Sequence, residues 1–161
     1  MERGKENIEP DYVGKKTAFG VSSMASRLKT VGMLKPMKAL RVADPIKWHY
    51  SQYFDPTKID SNYSSFTKIL TILGVEILWM KSKNNEIADS IFTYDASFMT
   101  QNGAILLSPG KQLRKGEEKI HEEFYKKNNI PIIGKLSGSA IAEGGDMFWI
   151  DNETLVIGKG F

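Results

Sequence analysis

Cysteine is absent from all 161 residues, which excludes disulfides, thiolate-held metals and a cysteine nucleophile within this chain. Histidine is scarce, with only His49 and His121, and no His or acid cluster has metal-ligand spacing, so no metal or cofactor is expected. No apolar run approaches the ~20 residues of a membrane helix. The longest apolar-leaning stretch, Ile69 to Met80, is broken by Thr71, Gly74 and Glu76, so no membrane partner is expected. Charge of one sign is lacking too. Lys and Arg number 22 against 19 Asp and Glu, and the resulting +3 is too mild to argue for a nucleic-acid partner. Residues 1–27 hold no apolar segment of the kind a secretory signal needs. Their Glu2, Glu6, Glu9 and Asp11 are foreign to a mitochondrial presequence. They read as a polar arm, and the expected address is the cytoplasm.

What is present suits one globular core. The chain is 41% hydrophobic, 25% charged and 11% aromatic, which predicts a single domain over residues 28–161. Leu28 to Leu34 mixes β-branched and long apolar residues and predicts a strand ending before Pro36. Residues 45–56, with two prolines and four aromatics, predict a loop holding His49. Pro56 then opens a helix whose Phe66, Ile69, Leu70 and Leu73 form a stripe expected to pack in the core, with Gly74 past its end. Val75 to Met80 predicts a strand, as do Ser90 to Thr93 and Ala104 to Leu107, the last two divided by a Gln101-Asn102-Gly103 turn. Gln112 to Asn128 predicts a charged amphipathic helix with Leu113, Ile120 and Phe124 inward and His121 toward solvent. Ile130 to Ile133 follows as a strand. Met147 to Ile150 and Leu155 to Ile157 then predict a hairpin. The order suggests repeated β-β-α-β units in an α+β chain rather than a doubly wound sheet.

Two stretches and one residue carry chemistry. Asp89 and Asp95 flank an apolar segment at a spacing of six, which on an extended strand aims both at one face. Glu143-Gly144-Gly145-Asp146 sets two glycines between two acids, permitting close approach to the backbone. Arg114 is followed by Glu117 and Glu118. Carboxylates in apolar surroundings call for a cation, and a planar guanidinium lets a carboxylate grip with two parallel hydrogen bonds. Arg114 offers the same fork to a carboxylate, so the set suits an arginine-like amino acid. A cap for Asp89, a tight turn for Glu143-Gly-Gly-Asp and a solvated charge for Arg114 explain the same residues, and spacing alone favours those plainer readings.

The rows ADSIFTYDASFMTQNGAILLSPGKQLRKGEE, IPIIGKL and EGGDMFWIDNETLVIGKGF, with FGVSSMASRLKTVGMLKP upstream, resemble the guanidino-group-modifying enzymes. These are the dimethylarginine dimethylaminohydrolases, arginine deiminases and amidinotransferases. The spacings among Asp89, Asp95, Arg114 and Glu143 fit the dimethylarginine hydrolase branch best. The resemblance implies the pentein fold, an α/β propeller of β-β-α-β modules, with about three of its five modules present here. It also implies roles. Asp95 would bind the substrate guanidinium, Asp89 would help hold the amino-acid end, and Arg114 would bind the α-carboxylate. Glu143 would serve as the catalytic-site acid that orients a histidine, and Asp146 would support the Gly-Gly turn. Tyr94 stands where relatives often carry an acid or arginine, which touches substrate preference.

The family works through a cysteine that forms a thiouronium, and through a histidine in a later module; neither His49 nor His121 matches that position. The expectation is therefore an N-terminal portion of an amidine hydrolase that makes citrulline from arginine or methylated arginine. Such a portion holds the binding half of the site and not the bond-breaking half. Its partner would be a small arginine analogue, with a homo-oligomer left open. An amidinotransferase, or a non-catalytic pentein binding module, is the alternative.

Overall fold

The computed structural model describes residues 19–83 and 86–160, so most of the expected polar arm, residues 1–18, lies outside the described residues. Its elements form three small sheets in an α+β arrangement. The first sheet pairs β1 (Thr30–Met33) in parallel with β2 (Glu76–Trp79), in register Thr30 with Glu76 and Met33 with Trp79. Between them run α1 (Lys38–Arg41), α2 (Pro45–Trp48) and α3 (Pro56–Ile72). The expected loop at 45–56 thus contains a short helix. Asp44 accepts hydrogen bonds from Ile46 N and Lys47 N, with Pro45 behind it pre-set for a first turn. His49 closes that turn in the left-handed region at φ 58° and is exposed.

The middle sheet has order β3-β4-β5. β3 (Ser97–Thr100) and β4 (Gly103–Leu106) make an antiparallel hairpin across the expected turn. β5 (Ile132–Lys135) lies parallel to β4, with α4 (Glu117–Lys127) as the crossover. This is one complete β-β-α-β unit. It is preceded by the β-α-β of the first sheet and followed by the antiparallel hairpin β6 (Met147–Trp149) and β7 (Leu155–Ile157). The sheets do not close into a ring among the described residues.

Three expectations are corrected here. Ser90 to Thr93 is not a strand: Ala88–Ile91 winds into a 3-10 turn, and the hairpin's first strand is Ser97–Thr100. That strand hid because Ala96, Ser97 and Phe98 are consecutively buried, so the chain there has no polar alternation to read. The expected 112–128 helix is broken at Gly116, whose φ of 102° is open to glycine at little cost, so a 3-10 turn at Gln112–Arg114 precedes α4. The stripe on α3 does not enter the core. Phe66, Ile69, Ile72 and Leu73 are exposed, while Ile59, Tyr63, Thr67 and Leu70 are the half-buried face. A two-stranded sheet is too narrow to cover a wide apolar helix face.

The main core lies between α4 and the parallel strands, where Leu34, Met80, Ala104, Leu106, Ile120, Phe124 and Tyr125 pack together. A second cluster of Leu40, Ala43, Trp48, Ile87 and Ala88 supports the 3-10 turn that carries Asp89. The third, Phe98, Leu107 and Met147, joins the last hairpin to the middle sheet.

Candidate functional site

Arg114 organises the site. It is 5% exposed and ends the 3-10 turn, two residues before the Gly116 break that starts α4. That break turns the first residue of α4, Glu117, back onto it. Glu117, only 1% exposed, takes Nε at 2.9 and 3.1 Å and Nη2 at 2.7 Å, a bidentate fork. Nη1 donates to Asp95 Oδ2 at 2.9 Å and lies 3.8 Å from Glu143 Oε2, and Nη2 also reaches the Phe92 carbonyl at 3.4 Å. Burial works to lower the Arg114 pKa, yet the hydrogen bonds it donates to Glu117 and Asp95 outweigh it and hold the guanidinium more firmly charged than usual. Burial pushes the Glu117 carboxyl upward, opposed by Arg114.

The two glycines of Glu143-Gly-Gly-Asp exist for Asp95. A Cβ on Gly144 would come within 2.0 Å of the Tyr94 carbonyl oxygen, and one on Gly145 within 2.9 Å of Asp95 Oδ1. Without side chains, Gly144 N donates to the Asp95 carbonyl and Gly145 N to Asp95 Oδ1, each at 3.1 Å. The close approach expected for a ligand is therefore made by the chain itself. Glu143, at the head of this turn, accepts from Gly110 N at 2.9 Å, and its side chain is 32% exposed. Asp146 contributes its backbone carbonyl, which accepts from Gly158 N at 2.8 Å.

Asp89 stands apart from this group. Because its segment is a 3-10 turn, the six-residue spacing does not align it with Asp95 as a strand would. It is buried and held by Lys111 Nζ at 2.6 Å and by the Tyr50 hydroxyl. Lys111 also donates to the Trp48 carbonyl at 2.8 Å and stacks its ammonium over the Trp48 and Tyr50 rings. Burial and the neighbouring Asp89 both raise the Tyr50 phenol. Three of the four expected residues, Asp95, Arg114 and Glu143, thus share one cluster, and Asp89 belongs to an adjoining, balanced pair. Glu117, Lys111 and Tyr50 were not singled out by sequence. Only Glu117 left a trace, three residues from Arg114, and the glycine between them hid the geometry.

His121 is not toward solvent. It is 2% exposed on the inner face of α4, with Nδ1 2.8 Å from Ser97 Oγ, which in turn lies 2.6 Å from the Tyr125 hydroxyl. Burial, with Arg114 adding to it, pulls its pKa down to about 4. Its charged neighbours in sequence had suggested a solvated face, but the residue lies one turn beyond Glu117 on the same buried side.

The charges of the main cluster do not cancel. Three carboxyl groups, Asp95, Glu117 and Glu143, face one guanidinium; burial favours the neutral form of Glu117, and the excess of acid lies on the side where Asp95 and Glu143 are partly open to solvent. Among the described residues, no group of three His, Asp or Glu could hold a metal ion, and no helix is long and apolar enough to cross a membrane.

An arginine clasped by carboxylates beside a β-β-α-β unit is set in a mixed helix-and-strand backbone that superposes on part of several solved structures. The particular structures it resembles are those of dimethylarginine dimethylaminohydrolase. An adduct of that enzyme with 4-chloro-2-hydroxymethylpyridine superposes with a TM-score of 0.64 at 22% identity, over 77% of this chain and 46% of that one. A variant adduct with S-methyl-L-thiocitrulline gives 0.65 at 21% identity, over 77% and 48%. A variant of the Pseudomonas aeruginosa enzyme complexed with citrulline gives 0.64 at 21%, over 76% and 47%. Among curated proteins, an uncharacterized protein of Caenorhabditis elegans is 28% identical over 144 residues, 89% of this chain. The chain spans about half the length of these relatives, 51% in the worm protein's case. No family model matches it.

Proposed function

We propose that this chain is the cation-holding portion of an amidine hydrolase that acts on arginine or N-methylated arginine. The observation that carries this reading is the unbalanced carboxylate pair, Asp95 and Glu143, beside a guanidinium already held at 2.9 Å from Asp95. Carboxylates placed to grip one guanidinium, and left with negative charge to spare, suit a second. In the complete reaction a thiolate attacks the guanidinium carbon, an amine or ammonia leaves with a proton, and water releases citrulline from the thiouronium. Asp95 and Glu143 keep the substrate cationic, and hence electrophilic, and fix it for attack. In this reading Glu143 would also orient the proton-transferring histidine. The cysteine and that histidine are not among these 161 residues. Arg114 is engaged by Glu117 and Asp95, so an α-carboxylate would reach it only by displacing part of that set. A dimethylargininase fits the likenesses best, with an arginine deiminase or an amidinotransferase as variants within the class. A cytoplasmic, self-associating protein is part of the same reading.

One observation favours a second reading, a non-catalytic pentein binding module: the chain's own arginine already fills the Glu117 carboxylate fork.

Binding of arginine and of asymmetric dimethylarginine, followed by calorimetry, tests the proposal. Glu143→Gln keeps the shape and leaves Arg114 its two closer partners, so a fall in affinity of roughly tenfold or more is expected from losing one charged contact. Unchanged affinity in that variant removes Glu143 from the site. The chain alone should release no citrulline; turnover above blank would overturn the account of a missing nucleophile.

A further inference from the structure

A separate cavity of about 560 Å³ opens beyond the ends of β2, β4 and β5, beside the first turns of α4. Asp89, Asp95, Arg114 and Glu143 do not line it. Five lysines do: Lys81, Lys83, Lys115, Lys119 and Lys135. Only two carboxylates oppose them, Glu118 and Glu123, and Glu118 is already engaged by the Gly116 N–H at 2.9 Å. Lys135 reaches Glu122 at 3.5 Å. The other four lysines make no ion pair among the described residues. Like charges gathered around a concavity raise the local potential for anions, and where they outnumber their counter-charges they repel one another. Half-buried Leu136 supplies apolar surface within the same hollow, over a floor formed by the buried Leu107 and Ile120.

Topology points to the same place independently. β4 and β5 are parallel and joined through α4, and the hollow lies past their carboxyl ends beside the start of that helix. The volume exceeds what a lone phosphate fills and falls within the ~300–1,000 Å³ of small-molecule sites. An ammonium on a flexible stem is a point charge well suited to phosphoryl oxygens.

We propose that this cavity binds an organic polyphosphate, with its phosphoryl groups on the lysine rim and its organic part against Leu107, Ile120 and Leu136. The inference goes beyond the arginine-binding reading and does not rest on it.

Calorimetric titration with ATP as the probe should show one saturable site that weakens as salt rises. Replacing both Lys115→Gln and Lys119→Gln should lower ATP affinity at least about tenfold, since two charged contacts are lost. Both side chains are exposed, and circular dichroism should show the fold retained. The control pair Lys58→Gln and Lys68→Gln, on α3, should change it less than about twofold. Asp95→Asn should leave ATP binding unaltered. Pyrophosphate should bind more weakly than ATP, because it lacks an organic part for the apolar surface. The proposal falls if no saturation is reached by ~5 mM ATP or if the α3 pair weakens binding as much as the cavity pair. Pyrophosphate binding as tightly as ATP would overturn the organic half of it.

Discussion

Helices α3 and α4 announce themselves in the same way, as amphipathic periods of three and four, yet they meet different fates. α4 has 11 residues and buries five of them, Glu117, Ile120, His121, Phe124 and Tyr125. α3 has 17 and buries none. The difference lies in what each leans on. α4 crosses a three-stranded sheet and faces the main core on one side and the Arg114 cluster at its start. α3 leans on a two-stranded sheet, tied by the Tyr63 hydroxyl to the Leu34 carbonyl at 2.7 Å. An apolar stripe states that a helix has a face to hide; the breadth of its partner determines how much is hidden.

The sharpest way to break this contrast is at Phe124, buried in the main core. Phe124→Ala should cost about 3–5 kcal/mol by chemical denaturation, from lost burial plus the cavity left behind. A loss below about 1 kcal/mol would mean that α4 is no better anchored than α3.

A smaller effect is expected at His121, and its sign is determined. The folded value near 4 lies below the ordinary ~6.5, so between these values the unfolded chain binds the proton and the folded chain does not. Stability from this group is fully present above ~6.5 and is lost as pH falls toward 4, by up to ~3 kcal/mol. Glu117, raised by burial, contributes in the opposite sense, but equally in any His121 variant. Urea midpoints at neutral and mildly acidic pH should show the gap between the native chain and His121→Gln narrowing on acidification. A constant gap would show that His121 is not the titrating group.

The smallest effect belongs to Phe66, 51% exposed on α3. Phe66→Ala should shift stability by less than about 0.5 kcal/mol. A larger loss that grows with protein concentration would show the α3 face covered by another copy, and would erase the contrast.

Much of the fold was legible because short-range chemistry controls it. Pro56 behind Asp55 starts α3, and the Asp151 carboxylate accepting from Glu153 N and Thr154 N turns the last hairpin. β3 was not legible, since burial on every side removes alternation. The 3-10 turn at Asp89 was read as a strand because its apolar residues pack into the Trp48 cluster rather than along a sheet. Asp89, Asp95, Arg114 and Glu143 stand out in the sequence by type, but their engagement does not: Lys111 comes to Asp89 from 22 positions away.

The absence of any thiol, the start of α3 at Pro56 and the turn of the last hairpin at Asp151 are properties of the sequence alone, because composition and near-neighbour patterning decide them. Tertiary structure alone decided that Arg114 is clasped by Glu117, that Gly144 and Gly145 grip Asp95, and that His121 is buried. Each of these depends on which distant segment arrives alongside, and a carboxylate in a low-dielectric interior takes the cation that packing delivers to it.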